Sequence, residues 1–198
     1  GGGPPLRNGG GGTPPAPVAN ASGTNTIASV VTLATDAELQ TMNGNELRIT
    51  GGITGDGDLG VNKHVVTNAG QVNLEVSPNF KGKVTTGSGR VVMDDLSFIQ
   101  SPDQLTLGLG TLLYTGPDVE IPGFQFKAAT GRPAVFESAS DVTVGTIKRT
   151  GTSTFLKLGT GTLRLHGTDT LAVNTSQNNS GNGRTTRFPN GDGPTKAV

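Results

Sequence analysis

Four carboxylates in this 198-residue chain stand where chemistry could be built: Asp95, Asp118, Glu120 and Asp141. Asp95, Asp118 and Asp141 each open a phrase of one pattern, "DLSF", "DVEI" and "DVTV", at intervals of 23 residues. If each interval is one circuit of a coiled chain, the three carboxylates form an axial row about 5 Å apart, with Glu120 two residues beyond Asp118 on the same strand face. Such a row could hold Ca²⁺ through carboxylate oxygens, or divide acid and base duties across a glycosidic bond. Equally, an aspartate repeats wherever a turn repeats, because its side chain accepts hydrogen bonds from nearby backbone N–H groups. The pattern fixes no lysine or arginine opposite the row, so it assigns no catalytic base and implies no cofactor.

Other candidates are thinner. "GDGD" at 55–58 offers Asp56 and Asp58 between turn glycines, a single copy of a pattern that binds Ca²⁺ only when stacked, so a plain turn is expected. His64 and His166 have no histidine or cysteine partner at metal-ligand spacing and read as surface or strand positions. No nucleophile elbow, phosphate loop or His-Glu-x-x-His motif occurs, and the Gly-x-Gly phrases precede strands rather than helices. Asn20, Asn174 and Asn178 open glycosylation sequons that a chain rich in Asn and Thr also produces by chance.

The elements that must position these residues announce themselves by repetition. "NLEV" at 73 precedes "DLSF", "DVEI" and "DVTV" at intervals of 22, 23 and 23 residues, each phrase alternating polar and apolar as a strand with one buried face does. "GSGRV" at 87, "GLGTL" at 108, "GRPAV" at 131 and "GTGTL" at 159 run in step, as do "KVT" at 83, "QLTL" at 104, "QFKA" at 125 and "FLKL" at 155. "LTLGLGTLLYTG" and "LKLGTGTLRLHG" therefore read as one phrase written twice, 51 residues apart because "GTIKRTGTS" is interposed. Three short strands per circuit predict an all-β parallel solenoid of about 22–23 residues per coil, with Leu96 and Phe98, Val119 and Ile121, and Val142 and Val144 pointing inward. An antiparallel sandwich or jelly roll is the alternative for short strands with glycine-rich turns.

Outside the repeats, residues 1–25 combine glycine runs with proline pairs and read as an arm or linker, and residues 174–198 as a polar tail; the solenoid domain is expected over 26–173. "ATDAELQTMNG" predicts one helix over 36–43, with capping-box spacing from Thr35 to Glu38, Leu39 and Met42 on one face and Gly44 left-handed at its end. That helix would cover the first coil. Nothing helical is available for the opposite end, where the polar tail is one candidate cover, and this points to continuation of the chain or to assembly with another subunit through that end.

Lys157, Gly159, Gly161, Thr162, Leu163, Leu165 and Gly167 of "FLKLGTGTLRLHG" resemble the autotransporter-associated β-strand repeat, and "VTLATDAELQTMNGNELRIT" (31–50) resembles the opening of right-handed parallel β-helix proteins. Both resemblances imply an exported, passenger-type surface protein whose solenoid is a stalk, an adhesive face or a polysaccharide-cleaving scaffold.

Composition narrows the classes further. Fifteen basic and fifteen acidic residues create no field that would recruit nucleic acid or an anionic membrane. Cysteine is absent, and no apolar run approaches the roughly 20 residues that span a bilayer as a helix. The expectation is a non-enzymatic, extracellular or cell-surface structural or adhesive protein that self-associates or meets neighbouring subunits or a surface glycan. The alternatives are a viral or phage capsid, fibre or decoration protein of the virion, and a carbohydrate-active enzyme, a polysaccharide lyase or hydrolase, using the acidic row.

Overall fold

A computed structural model describes residues 18–64, 69–128, 133–149 and 155–166. The first 17 residues of the expected arm, the tail 174–198, and the sequons at Asn174 and Asn178 lie outside them. Among the described residues the protein is all β, with parallel sheets stacked as a solenoid of about 6 turns. The chain meets three faces in each turn. The first is built by β1 (Val18–Asn20), β4 (Ala37–Thr41), β6 (Leu59–Val61), β8 (Val84–Thr86) and β10 (Leu105–Leu107). The second carries β2 (Thr24–Ile27), the start of β5 (Glu46–Gly55), β7 (Gln71–Val76), β9 (Arg90–Met93), β11 (Thr111–Tyr114), β13 (Ala134–Ser138) and β15 (Phe155–Leu158). The third holds β3 (Val31–Leu33), the end of β5, and β16 (Leu163–Leu165).

Two long strands, β12 (Val119–Ala128) and β14 (Val142–Arg149), run along the third face and round the corner onto the first. Their pairing shifts register between Ile121 and Gln125, where the corner lies. Every strand-to-strand ladder is parallel, the pattern a chain makes when it winds repeatedly in one sense. Sheet period then sorts the side chains. In β9 and β11 the burial alternates, so Val91, Met93, Leu112 and Tyr114 pack inside while Arg90, Val92, Thr111 and Leu113 face out.

The first inward column of the second face shows how the core is assembled. Leu47, Val72, Val91, Leu112 and Phe136 lie in successive turns, paired in register and at most 3% exposed. A side chain here touches its counterparts above and below, so apolar character must recur once per circuit. Glycine marks the corners for a steric reason. A Cβ on Gly108 would stand 2.0 Å from the carbonyl oxygen of Thr86 in the turn beneath, where no side chain fits.

Several expectations are corrected. The helix over 36–43 is strand β4, which pairs in parallel with β1 and β6. Local capping signals lose there to the ladder partners on both sides. Leu39 is buried, Met42 is exposed, and Glu38 turns to His64 instead of back to Thr35. Gly44 is left-handed as expected, at φ 76°, in a turn between strands. Strand β1, the first among the described residues, starts at Val18 and already pairs with β4, inside the segment read as an arm.

The repeat is also phased differently. "DVEI" and "DVTV" are in register, Val119 beside Val142 and Ile121 beside Val144. "DLSF" forms a turn within the irregular segment 94–104, which replaces the third-face strand of its circuit, although Leu96 and Phe98 are still buried. "NLEV" straddles a corner: Asn73 pairs on the second face and Val76 beside Ile53 on the third. The twin phrases occupy different corners. "LTL" at 105 lies on the first face, whereas "LKL" at 156 lies on the second and "LRL" at 163 on the third. "GTIKR" is no insertion: Lys148 pairs with Lys127, which follows Thr106, so this segment is the first-face strand of its own circuit.

Phe80 and Phe98 meet edge to face, ring centroids 6.3 Å apart, and both are fully buried beneath the irregular segment. Gln104, also buried, holds that segment down by donating to the carbonyls of Phe80 and Gly82 and accepting from the N–H of Gln100. Truncating Phe98→Ala is expected to cost about 3–5 kcal/mol, read as a fall in the urea midpoint with the slope unchanged.

Candidate functional site

The acidic row is built at a corner, one residue before the third face. Asp118 precedes Val119, Asp141 precedes Val142 and Thr162 precedes Leu163, and those three strand residues stack in register. Asp118 Oδ1 accepts the N–H of Asp141 at 2.8 Å, and Asp141 Oδ1 accepts the N–H of Thr162 at 2.7 Å. The backbone answers in the other direction. Val119 N–H donates to Asp141 C=O at 3.0 Å, and Val142 N–H to Thr162 C=O at 2.8 Å. Each aspartate thus staples its own turn to the next, extending the ladder into a corner where the chain bends away from sheet geometry.

An identical staple stands at the corner before the first face. Asp36 Oδ1 accepts from Asp58 N–H at 3.0 Å, and Asp58 Oδ1 from Lys83 N–H at 2.8 Å. Ala37 N–H and Leu59 N–H return the bond to the carbonyls of Asp58 and Lys83 at 2.9 and 2.7 Å. Asp58 of "GDGD" is therefore a staple, as a turn reading of that motif expects. Asp36 went unread in the sequence because its partner's spacing becomes meaningful only when both are known to precede stacked strands.

The four residues of the proposed row do not converge. Asp118 and Asp141 are stacked. Asp95 closes a local turn, its Oδ1 accepting Ser97 N–H at 2.7 Å and its Oδ2 the Ser97 hydroxyl at 2.8 Å. Glu120 faces outward in register with Thr143 and Arg164, and its Oε1 lies 3.2 Å from His166 Nε2 on an exposed surface. Asp141 also meets Arg164 at 2.9 Å. Thr162 N–H foremost, with Arg164 contributing, holds the Asp141 carboxyl below the usual aspartate range despite partial desolvation.

Three further clusters emerge from the tertiary structure. Glu46 is a hub on the outer second face: Oε1 accepts from Arg48, Gln71 and Asn73, and Oε2 from Arg48. The Arg48 contact above all keeps its carboxyl below the ordinary value. Glu38 holds the segment after β6, accepting from His64 N–H at 3.0 Å and contacting the His64 ring. Burial pushes the Glu38 carboxyl up, but the bonds from His64 and Gln40 outweigh it and the net shift is downward. Lys157 is 6% exposed and points into the core. Asn20 is also buried, with Nδ2 donating to Gly23 and Glu46 carbonyls, so its sequon is spent on structure.

Among the described residues no group of three or more His, Cys, Asp or Glu side chains is placed to hold a metal ion. No helix among them is long and apolar enough to cross a membrane. No protein-family model, curated protein or solved structure matches the chain.

The staples make two measurable claims. Asp58→Ala removes an acceptor from Lys83 N–H and is expected to cost about 1 kcal/mol in denaturant unfolding, whereas Asp58→Asn, which keeps a carbonyl oxygen, costs less than half as much. Because the Asp141 carboxyl titrates lower folded than unfolded, its contribution is present above the unfolded value and disappears as pH falls through the folded one. Acid titration of stability should therefore flatten below the ordinary aspartate range in Asp141→Asn relative to wild type.

Proposed function

We propose that the chain is a non-enzymatic structural or adhesive solenoid of the passenger type borne by exported surface proteins. The observation that carries this reading is the use made of Asp118 and Asp141. A lyase or hydrolase needs carboxylate lone pairs turned toward a substrate, and a Ca²⁺ site needs several converging oxygens. Here the stacked carboxylates are bound to the backbone of the next turn, and Asp95 and Glu120 are directed elsewhere.

What such a body offers a partner is its lateral surface. The outer second face presents Thr24 and Thr26, then Glu46 and Arg48, then Gln71 and Asn73 in successive turns, a polar array at strand spacing. Amide, hydroxyl and guanidinium groups in such an array suit a neighbouring subunit or a surface glycan. On this reading the protein acts outside the cell, at a cell surface or in a virion, as a rigid body that other molecules contact.

The test is to incubate the purified chain with polygalacturonate and Ca²⁺ and follow new chain ends. No cleavage is expected, and Asp118→Ala should lower stability alone. Cleavage by wild type that vanishes in a folded Asp118→Ala variant would replace this reading with the enzyme one.

A further inference from the structure

We infer that copies of this chain associate side by side, the lysine-bearing first face of one against the acidic third face of the next, an inference that rests on the structural reading proposed above and specifies the surfaces that neighbouring subunits share. Balanced totals hide an uneven surface. Six lysines fall among the described residues; Lys157 is buried, and the other five lie on the first face or in the turns that enter and leave it. Lys63 follows β6 and lays its stem over Gly60, where an added Cβ would stand 3.4 Å from that of Lys63. Gly60 pairs with Thr85, Thr85 with Thr106, Thr106 with Lys127 and Lys127 with Lys148, so one column of this face collects three of the five. Lys81 and Lys83, both exposed, lead into β8.

The third face is the counterpart. Asp56 follows the strand that ends there, Glu75 stands at the corner beside Val76, and Glu120 lies on β12, all three exposed. Asp94, Asp95 and Asp118 add to the same side of the molecule. Burial first, and then the charges of these three carboxylates, raise the pKa of the Tyr114 hydroxyl behind them. Arg164 of that face is already paired with Asp141. The second face is balanced within itself, Arg48 by Glu46 and Arg90 by Glu137, so the contrast in sign lies between the first and third faces.

The two sets match level by level. Each circuit passes from the third face to the first, so an acid is followed by the lysine of its own turn: Asp56 by Lys63, Glu75 by Lys83 and Glu120 by Lys127. Within one chain a corner separates the members of each pair, and among the described residues no carboxylate pairs with Lys63, Lys81 or Lys83. Two copies with parallel axes and no axial slip set the acid of each turn opposite the lysine of the same turn, at multiples of the strand separation of about 4.8 Å. Acids also stand at the entry to the first face, but Asp36 and Asp58 are bound to backbone N–H groups and Glu38 to His64. Single exposed ion pairs are weak, so the contact depends on several in register and weakens with salt. Because the two surfaces differ, it is heterologous, and every copy offers both halves of it.

The experiment is sedimentation velocity on the full chain over a wide range of concentrations, in low salt and in about 0.5 M salt. One variant carries Lys83→Glu with Lys127→Glu, the other Glu75→Lys with Glu120→Lys. Wild type should rise in mass by about twofold or more in low salt and return to the monomer in high salt. Either variant alone should stay monomeric, since its first and third faces now bear one sign, and an equimolar mixture of the two should regain the wild-type mass. The inference is overturned if wild type stays monomeric at every concentration, if its assembly ignores salt, if either variant assembles as wild type does, or if the mixture fails to recover while both keep the wild-type circular dichroism. The wild-type salt series decides the matter even where a variant does not fold. A monomeric result leaves the non-enzymatic reading standing, because that reading is judged by cleavage of polygalacturonate and not by mass.

Discussion

Everything in this molecule follows from the requirement that each turn lie directly on the one beneath it, at the separation of hydrogen-bonded strands. That separation, about 4.8 Å, leaves no freedom in what a side chain meets along the axis. Leu112 must pack between Val91 and Phe136 because the register puts it there. The corners obey the same limit. Where Gly108 passes over Thr86, or Gly161 over Ser140, a Cβ would fall within 2.0 Å of a carbonyl oxygen. Gly159, at φ 83°, adds a left-handed bend to that crowding.

Stacking also explains why an aspartate recurs at the corner before a strand. Corners interrupt the ladder, and a short carboxylate one residue before a strand can reach the next turn's N–H and complete the ladder through its side chain. Two corners hold this device in the same geometry, one through Asp36 and Asp58, the other through Asp118 and Asp141. Repetition of an acidic residue is thus what a repeating corner selects. Arg164 beside Asp141 then offsets charge that stacking would otherwise accumulate.

The interior and the exterior divide the chemistry between them. Inside, an apolar column runs from Leu47 to Phe136 and meets Lys157, whose buried ammonium donates to the carbonyls of Ser138 and Leu158. Outside, the hub at Glu46 ties Arg48, Gln71 and Asn73 of two successive turns into one surface, which rigidifies that face. Rigidity in that face lowers the entropy lost when something binds it.

By itself the sequence determined the winding: alternation of period two gives strands, and recurrence at 22–23 residues stacks Val119 with Val142 whatever the details. It could not say which face each phrase occupies, because corners of different faces place the same demands on the chain. "GLGTL" and "GTGTL" therefore look equivalent although they turn between different pairs of faces. Nor could it tell β4 from a helix, since capping signals are local and the competing partners, Val18 and Leu59, sit in other turns. The fate of the acidic row was likewise decided only in three dimensions: whether an aspartate faces substrate or backbone depends on the N–H that the following turn brings within reach.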